Sequence, residues 1–247
     1  DISAPEEPSE LASLPLPGDV RDVQVVGSKA YLAAGSEGGL RVVDVALSDA
    51  LYEREGLVDI GDARALHVLN GYAYVACGEE GLRIIDLGGA EGPKLLGSFV
   101  TEGAIEDVYV VAKRAYIVDS EALFHILDVS KPDAPIALNT RKMPEPASGI
   151  HVLGEIAYVA AREKGVIAYD VSDPLIIRTL LVAETPGVAE DVFVRGNETF
   201  VADGSKALSV LALSPPCPGA ESKCGASRCD TALGCVQLEG SALCDDG

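Results

Sequence analysis

Apolar and polar residues alternate along this chain in short runs, and the runs recur. From Gly71 to Asp86 the sequence reads GYAYVACGEEGLRIID. Tyr72 to Ala76 has the length and the aromatic, apolar make-up of a strand. Cys77-Gly78-Glu79-Glu80-Gly81 carries the turn residues and Leu82 to Asp86 is a second strand, so the segment predicts a β-hairpin. The pattern is written five times. The second aromatic of the hairpin falls at Tyr31, Tyr74, Tyr116, Tyr158 and Phe200, in steps of 42 or 43 residues. The aspartate closing the second strand falls at Asp44, Asp86, Asp128 and Asp170, with Ala212 in the fifth copy. A strand-rich unit at this period predicts the blades of a β-propeller.

Each hairpin is preceded by an inner strand: 22–26, 65–69, 107–111, 149–153 and 191–195. Two of its positions are apolar in every copy: Val23, Leu66, Val108, Ile150, Val192, then Val25, Val68, Val110, Val152, Val194. Strand alternation puts these on one face. The residue between them, on the other face, is Gln24, His67, Tyr109, His151 or Phe193. Blades stack on both sides, so both faces are expected to be largely buried. The first four copies are each followed by an extended apolar segment, the expected fourth and outer strand. The fifth runs from Leu213 straight into Ser214-Pro215-Pro216-Cys217. Leu11 to Leu16 is therefore expected to supply the missing strand from the other end of the chain and to hide the edges of the array. The reading is all-β: a five-bladed β-propeller closed by an N-terminal strand. Residues 1–10 are an acidic flexible leader. The propeller occupies 11–214, with blades near 19–61, 62–103, 104–147, 148–187 and 188–214 plus 11–16, and a small cysteine-rich segment follows at 215–247.

The segments VRDVQVVGSKAYLAAG, GYAYVACGEEGLRIIDL, EDVYVVAKRAYIVD, HILDVSKPDAP and IAYDVSDP resemble the LVIVD-repeat family of β-propellers, over about 19–214. The resemblance implies a fold rather than a reaction, in proteins that are mostly secreted or held at the surface of bacteria and archaea. Blade five departs from the pattern by losing its closing aspartate. Blade three departs by carrying Leu123 where the hairpin glycine stands. These two blades are expected to be distorted or less stable.

Charge and cysteine use narrow the setting. The formal charge is −20. Such a surface repels phosphate backbones and anionic lipid, so nucleic acid is excluded as a partner. No apolar run reaches the length of a membrane-spanning helix. Asp1 is not an initiator residue, which predicts a removed leader or a trimmed chain. Cys217, Cys224, Cys229, Cys235 and Cys244 cluster near the C-terminus, while Cys77 stands apart. A dense cluster in a core-poor segment reads as a disulfide framework of an oxidising compartment. Zinc, the rival, wants paired C-x2-C spacings, which are missing. The tail's GCV…CDDG phrasing resembles cysteine-rich repeats of large extracellular proteins of myxobacteria-like organisms. Cys77, at a hairpin end, is expected to be a small buried free thiol.

Chemistry has few candidates. Asp44, Asp86, Asp128 and Asp170 recur symmetrically and are expected to fix turns. Asp22, Asp107 and Asp191 begin inner strands one, three and five, with Glu106 and Glu190 beside two of them. Carboxylates at a propeller's channel mouth suit a hard cation such as Ca²⁺ or an acid/base pair. The rival and favoured reading is structural, with Arg21 and Arg64 as ion-pair partners. His67 and His151 are too few for zinc without His125, which lies on another strand, and are expected in the core. Asp119 and Asp203 are expected to be structural. No nucleophile elbow, zincin motif, P-loop or dinucleotide fingerprint is present. The expectation is a non-enzymatic binding or scaffold module, extracellular or at the cell surface, with a protein or cell-envelope partner and no cofactor. Two alternatives stand: a glycosidase-like hydrolase using the channel-mouth carboxylates, and a structural subunit assembling through the tail.

Overall fold

The computed structural model describes residues 6–7, 9–47, 49–57, 59–213, 227–230 and 234–237. The chain divides into two compact units, residues 1–110 with 129–135 and residues 111–128 with 136–247. In the first unit, blade one is the antiparallel sheet of β1 (Asp22–Val26), β2 (Lys29–Ala33), β3 (Leu40–Asp44) and β4 (Tyr52–Leu57). Blade two repeats it with β5 (Ala65–Leu69), β6 (Tyr72–Ala76), β7 (Leu82–Asp86) and β8 (Lys94–Phe99), and β9 (Ile105–Val111) opens blade three. The second unit holds β10 (Arg114–Asp119), β11 (Leu123–Asp128) and β12 (Ile136–Lys142) of blade three. Blade four is β13 (Gly149–Leu153), β14 (Ile156–Ala160), β15 (Val166–Asp170) and β16 (Arg178–Ala183). Blade five has three strands, β17 (Asp191–Arg195), β18 (Glu198–Ala202) and β19 (Leu208–Ala212).

The repeat is visible in the register. His67 pairs with Tyr74 and His151 with Tyr158, as Gln24 does with Tyr31. Each outer strand slips by one residue against its neighbour, at the same place in blades two, three and four. Neighbouring blades are stitched by a backbone bond from the hairpin tip to the start of the next inner strand. Gly35 N–H donates to the Ala63 carbonyl, Ile105 N–H to Gly78 and Ala189 N–H to Arg162, at 2.9–3.0 Å. Apolar faces fill the space between. In the first unit Leu66 and Val68 of β5 join Tyr31, Leu40 and Val42 in one core cluster. In the second, Val192 and Val194 of β17 join Tyr158, Val166 and Ala168.

Three sequence expectations need correction. Leu11 to Leu16 forms no strand, and among the described residues blade five has no fourth. Pro15 and Pro17 have no N–H to donate to a ladder. The segment leads instead to Gly18, where a β-carbon would lie 2.1 Å from the Ala34 carbonyl oxygen of blade one. Nor are both faces of every blade buried. Leu66 and Val68 are 5% and 6% exposed, but their counterparts Val23 and Val25 in blade one are 54% and 60% exposed. In blade five Phe193, Leu208 and Val210 are exposed. Blade three also keeps a regular hairpin without its glycine. The left-handed backbone moves to Ala122 (φ 58°), and the Asp119 carboxylate accepts the Glu121 and Leu123 amides at 3.0 and 2.8 Å.

The cysteine pairing expected in the tail lies outside the described side chains. The tail contributes one described hairpin, Ser227–Asp230 with Gly234–Gln237. Cys77 is a free, buried thiol, pushed up to about 12 by its burial. Such a group stays protonated and inert.

Candidate functional site

The inner strands begin at one end of their blades, and residues at or just before the starts of β1, β5 and β9 form one ionic chain. Arg21 Nη1 donates to Asp62 Oδ1 at 2.8 Å. Arg64 Nε donates to Asp62 Oδ2 at 2.9 Å, and Arg64 Nη1 donates to Glu106 Oε1 at 2.6 Å. The chain links blades one, two and three through side chains that are all partly solvated. Asp62 is pushed up by partial burial and pulled down further by the Arg64 and Arg21 hydrogen bonds, so it sits below the usual carboxylate range.

The sequence candidates fall as follows. Asp22 Oδ1 accepts its neighbour Val23 N–H at 2.7 Å, and Oδ2 accepts the Leu66 N–H of blade two at 2.8 Å. Asp107 accepts the Val108 N–H at 2.6 Å. Asp191, in the second unit, accepts the Val192 N–H at 2.7 Å. Glu106 belongs to the ionic chain, and Glu190 is exposed. Arg21 and Arg64 do form ion pairs, but with Asp62 and Glu106 rather than with Asp22. Asp62 was not singled out in the sequence. Arg21, Arg64 and Glu106 occupy one repeat position, where the opposite charges of Arg64 and Glu106 mark a cross-blade pair, but no repeat position marks Asp62. Among the described residues, no group of three or more His, Cys, Asp or Glu side chains is arranged to hold a metal ion.

The inner strands carry a second link between blades. The Gln24 side-chain amide pairs with the Val68 backbone, accepting its N–H at 2.6 Å and donating to its carbonyl at 3.2 Å. At the same repeat position His67 packs on Tyr109 (ring centroids 4.5 Å) and His151 on Phe193 (5.0 Å). Burial lowers the pKa of His67.

Asp119 and Asp203 are fully buried acids of the second unit. Asp119 is fully buried, and its Oδ2 lies 3.0 Å from His125 Nε2. His125 Nδ1 lies 3.0 Å from the Thr140 hydroxyl. A carboxylate only accepts, which puts a ring proton on Nε2 in this contact. Acid, imidazole and hydroxyl in this order also occur in nucleophilic triads. The repeat argues against that reading here. The equivalent Asp203 accepts from Thr185 and Ser209 hydroxyls, both at 2.7 Å, and from the Gly187 amide at 3.0 Å, with no histidine. Burial opposes its charge, and these bonds overcome it to hold Asp203 below the ordinary value. The shared element is a buried acid that caps its hairpin.

The strand-closing aspartates fix turns. Asp44 accepts the Ala46 N–H, Asp86 the Gly88 N–H and Asp170 the Ser172 N–H, at 2.9–3.0 Å. Asp44 does more. Its other oxygen takes Arg54 Nε and Nη2 at 2.9 and 2.6 Å and the Tyr52 hydroxyl at 3.0 Å. The Arg54 hydrogen bonds hold its carboxyl below the usual range. Tyr52 and Arg54 border a cleft of about 540 Å³ on blade one, lined on its other side by the loop Leu87–Pro93.

These shifts set the acid response. Asp44, Asp62 and Asp203 have folded pKa values below the ordinary ~3.9. Their contribution is present above that value and is lost as pH falls through the folded values. His67 is also depressed, so its smaller contribution fades as pH falls below ~6.5. The urea midpoint should be flat above about pH 7, dip slightly towards pH 5 and fall steeply below about pH 4. His67→Gln should remove the first dip. A midpoint that rises on acidification from pH 7 to 5 would contradict the assignment.

Repeated antiparallel blades with tip-to-strand stitching define the class as a five-bladed β-propeller. The LVIVD repeat model matches residues 17–50, 60–101, 102–140, 146–175 and 186–218, and the chain belongs to that family. The match ends there and leaves the tail's resemblance to extracellular repeats unsupported. No curated protein matches the chain. Among solved structures, a protein from Lactobacillus plantarum is similar at TM-score 0.71 and 14% identity, over 82% of this chain and 69% of that one. A functionally unknown protein from Desulfotomaculum acetoxidans is similar at 0.66 and 12%, over 81% of this chain and 65% of that one. A computationally designed protein is similar at 0.57 and 9%, over 79% and 71%. These likenesses speak to the fold. The chain spans about two thirds of the length of these structures.

Proposed function

We propose that the protein is a non-enzymatic binding or scaffold module of the cell exterior, secreted or held at the surface, with a protein or cell-envelope partner. Propeller repeats commonly serve binding and scaffolding. The observation that carries the reading is the Arg21–Asp62–Arg64–Glu106 chain, with Asp22 clamped on two backbone amides. A hydrolase of the carboxylate type needs one acid held protonated, with a raised pKa. The shift at Asp62 runs the other way. The exterior setting is supported by the tail's cysteine spacing and by the family's usual location.

Purified protein offered a panel of chromogenic glycosides, esters and peptides should turn over none. Turnover that disappears in Glu106→Gln would overturn the reading. Intact producing cells treated with a non-permeant protease should lose the protein. Protection that ends only on lysis would place it inside.

A further inference from the structure

The cleft on blade one differs from its counterpart on blade two in a way that suits a ligand. Register places Lys29, Asp44 and Tyr52 in one cross-strand row, and Tyr31, Val42 and Arg54 in the row two residues on, on the same face. The position of Arg54 is held in blade two by Gly97, which faces Ile84 as Arg54 faces Val42. A β-carbon on Gly97 would lie 2.2 Å from the Pro132 carbonyl oxygen, so the loop 129–135 packs directly on blade two there. The equivalent glycine-rich loop over blade one, Leu87-Gly88-Gly89-Ala90-Glu91-Gly92-Pro93, meets Arg54 instead, and a cleft of about 540 Å³ opens between them. That size falls within the usual range for small-molecule and side-chain pockets.

The chemistry of the walls is one-sided. The floor is apolar, with Val42, Leu87, Ala90 and Pro93. The one acid of the lining, Glu53, is held by Arg41 at 2.9 Å, and Asp44 behind Arg54 is engaged by Arg54, Tyr52 and the Ala46 amide. Three donors are not. Arg54 uses Nε and Nη2 on Asp44, and no bond is made by Nη1. Among the described residues Lys29 makes no ion pair or hydrogen bond through its side chain. The Tyr31 ring is 7% exposed, and its hydroxyl has no protein partner among the described residues. Of the two cations of the lining, Lys29 is the one without a salt bridge among the described residues. On a chain of charge −20, one free cation with two neutral or shared donors suits a single negative charge and repels a dianion.

We infer that this cleft binds a monocarboxylate carried on a short apolar stem, with Lys29, Tyr31 and Arg54 on the carboxylate and Val42, Leu87 and Pro93 around the stem. The inference rests on the binding-module reading and gives that module a ligand class. The chemistry is shared by a free branched acid and by the C-terminal residue of a partner chain.

The test is a titration of the intact protein, followed by amide chemical shifts, with 4-methylpentanoate, N-acetyl-leucine, N-acetyl-leucinamide and isoamylamine as probes. Both acids should shift Lys29, Tyr31, Gly89 and Gly92 saturably, with a Kd on the order of 1 mM. The amide and the amine should bind at least about tenfold more weakly. Tighter binding of N-acetyl-leucine identifies a chain terminus as the source, and equal binding identifies the free acid; both support the site. Lys29→Ala and Tyr31→Phe should each weaken the acids about tenfold with an unchanged melting temperature. Equal shifts for acid and amine, or no saturable shift by either acid, would overturn the carboxylate site. Such a result, with no turnover in the substrate panel, leaves the binding-module reading standing.

Discussion

Asp119→Ala should destabilise the protein by roughly 3–5 kcal/mol, measured by urea unfolding. Asp119 is fully buried, and it satisfies the Glu121 and Leu123 amides and His125 Nε2 at once. Truncation leaves the buried His125 Nε2 and two part-buried amides without an acceptor, and each buried bond left unmade costs about 1–3 kcal/mol. Adding His125→Leu should restore part of the loss, because the imidazole is the donor most deeply enclosed. Strict additivity of the two substitutions would show that the pair is not coupled.

Gly81→Ala should cost at least about 3 kcal/mol, a melting temperature lower by roughly 6–12 °C for a chain of this size. Gly81 has φ 86°, and a β-carbon would lie 2.3 Å from the Phe99 carbonyl oxygen, so the hairpin tip and the outer strand must part. Gly71→Ala separates this clash from backbone strain. Its φ is 82° with nothing within 4 Å of the added atom, so only the left-handed conformation is penalised, at about 1–2 kcal/mol. Equal losses at the two glycines would mean that the close packing at Gly81 does not exist.

The blades were legible because their signal is local and repeated. Tyr31, Tyr74, Tyr116, Tyr158 and Phe200 sit on equivalent strands in matching register. Strand-closing aspartates were legible for the same reason, since Asp44, Asp86 and Asp170 bond amides two residues on. What one copy does differently was not legible. Leu11 to Leu16 looked like a strand by its apolar residues, but Pro15 inside it and Pro17 just after it lack the N–H that strand pairing uses. The cleft depends on Arg54 standing where blade two has Gly97, a difference whose meaning appears only when the neighbouring loop is placed. Asp62 lies two residues before Arg64 in an irregular segment, where no strand period marks it. Asp119 and His125 are six residues apart across a hairpin, and their contact follows from register rather than from spacing.

The central claim is that the carboxylates at the inner-strand starts hold blades together. The most direct measurement is the melting temperature of Asp22→Ala and Glu106→Gln. Asp22 bridges blades one and two through the Leu66 amide, and Glu106 bridges blades two and three through Arg64. Residues kept for catalysis usually carry a stability penalty, and replacing them raises stability while activity is lost. Structural residues behave in the opposite sense. The account predicts that both variants melt lower, Asp22→Ala by about 1–2 kcal/mol or roughly 2–8 °C. A higher melting temperature in either variant would contradict it and point back to a reactive site at the strand starts.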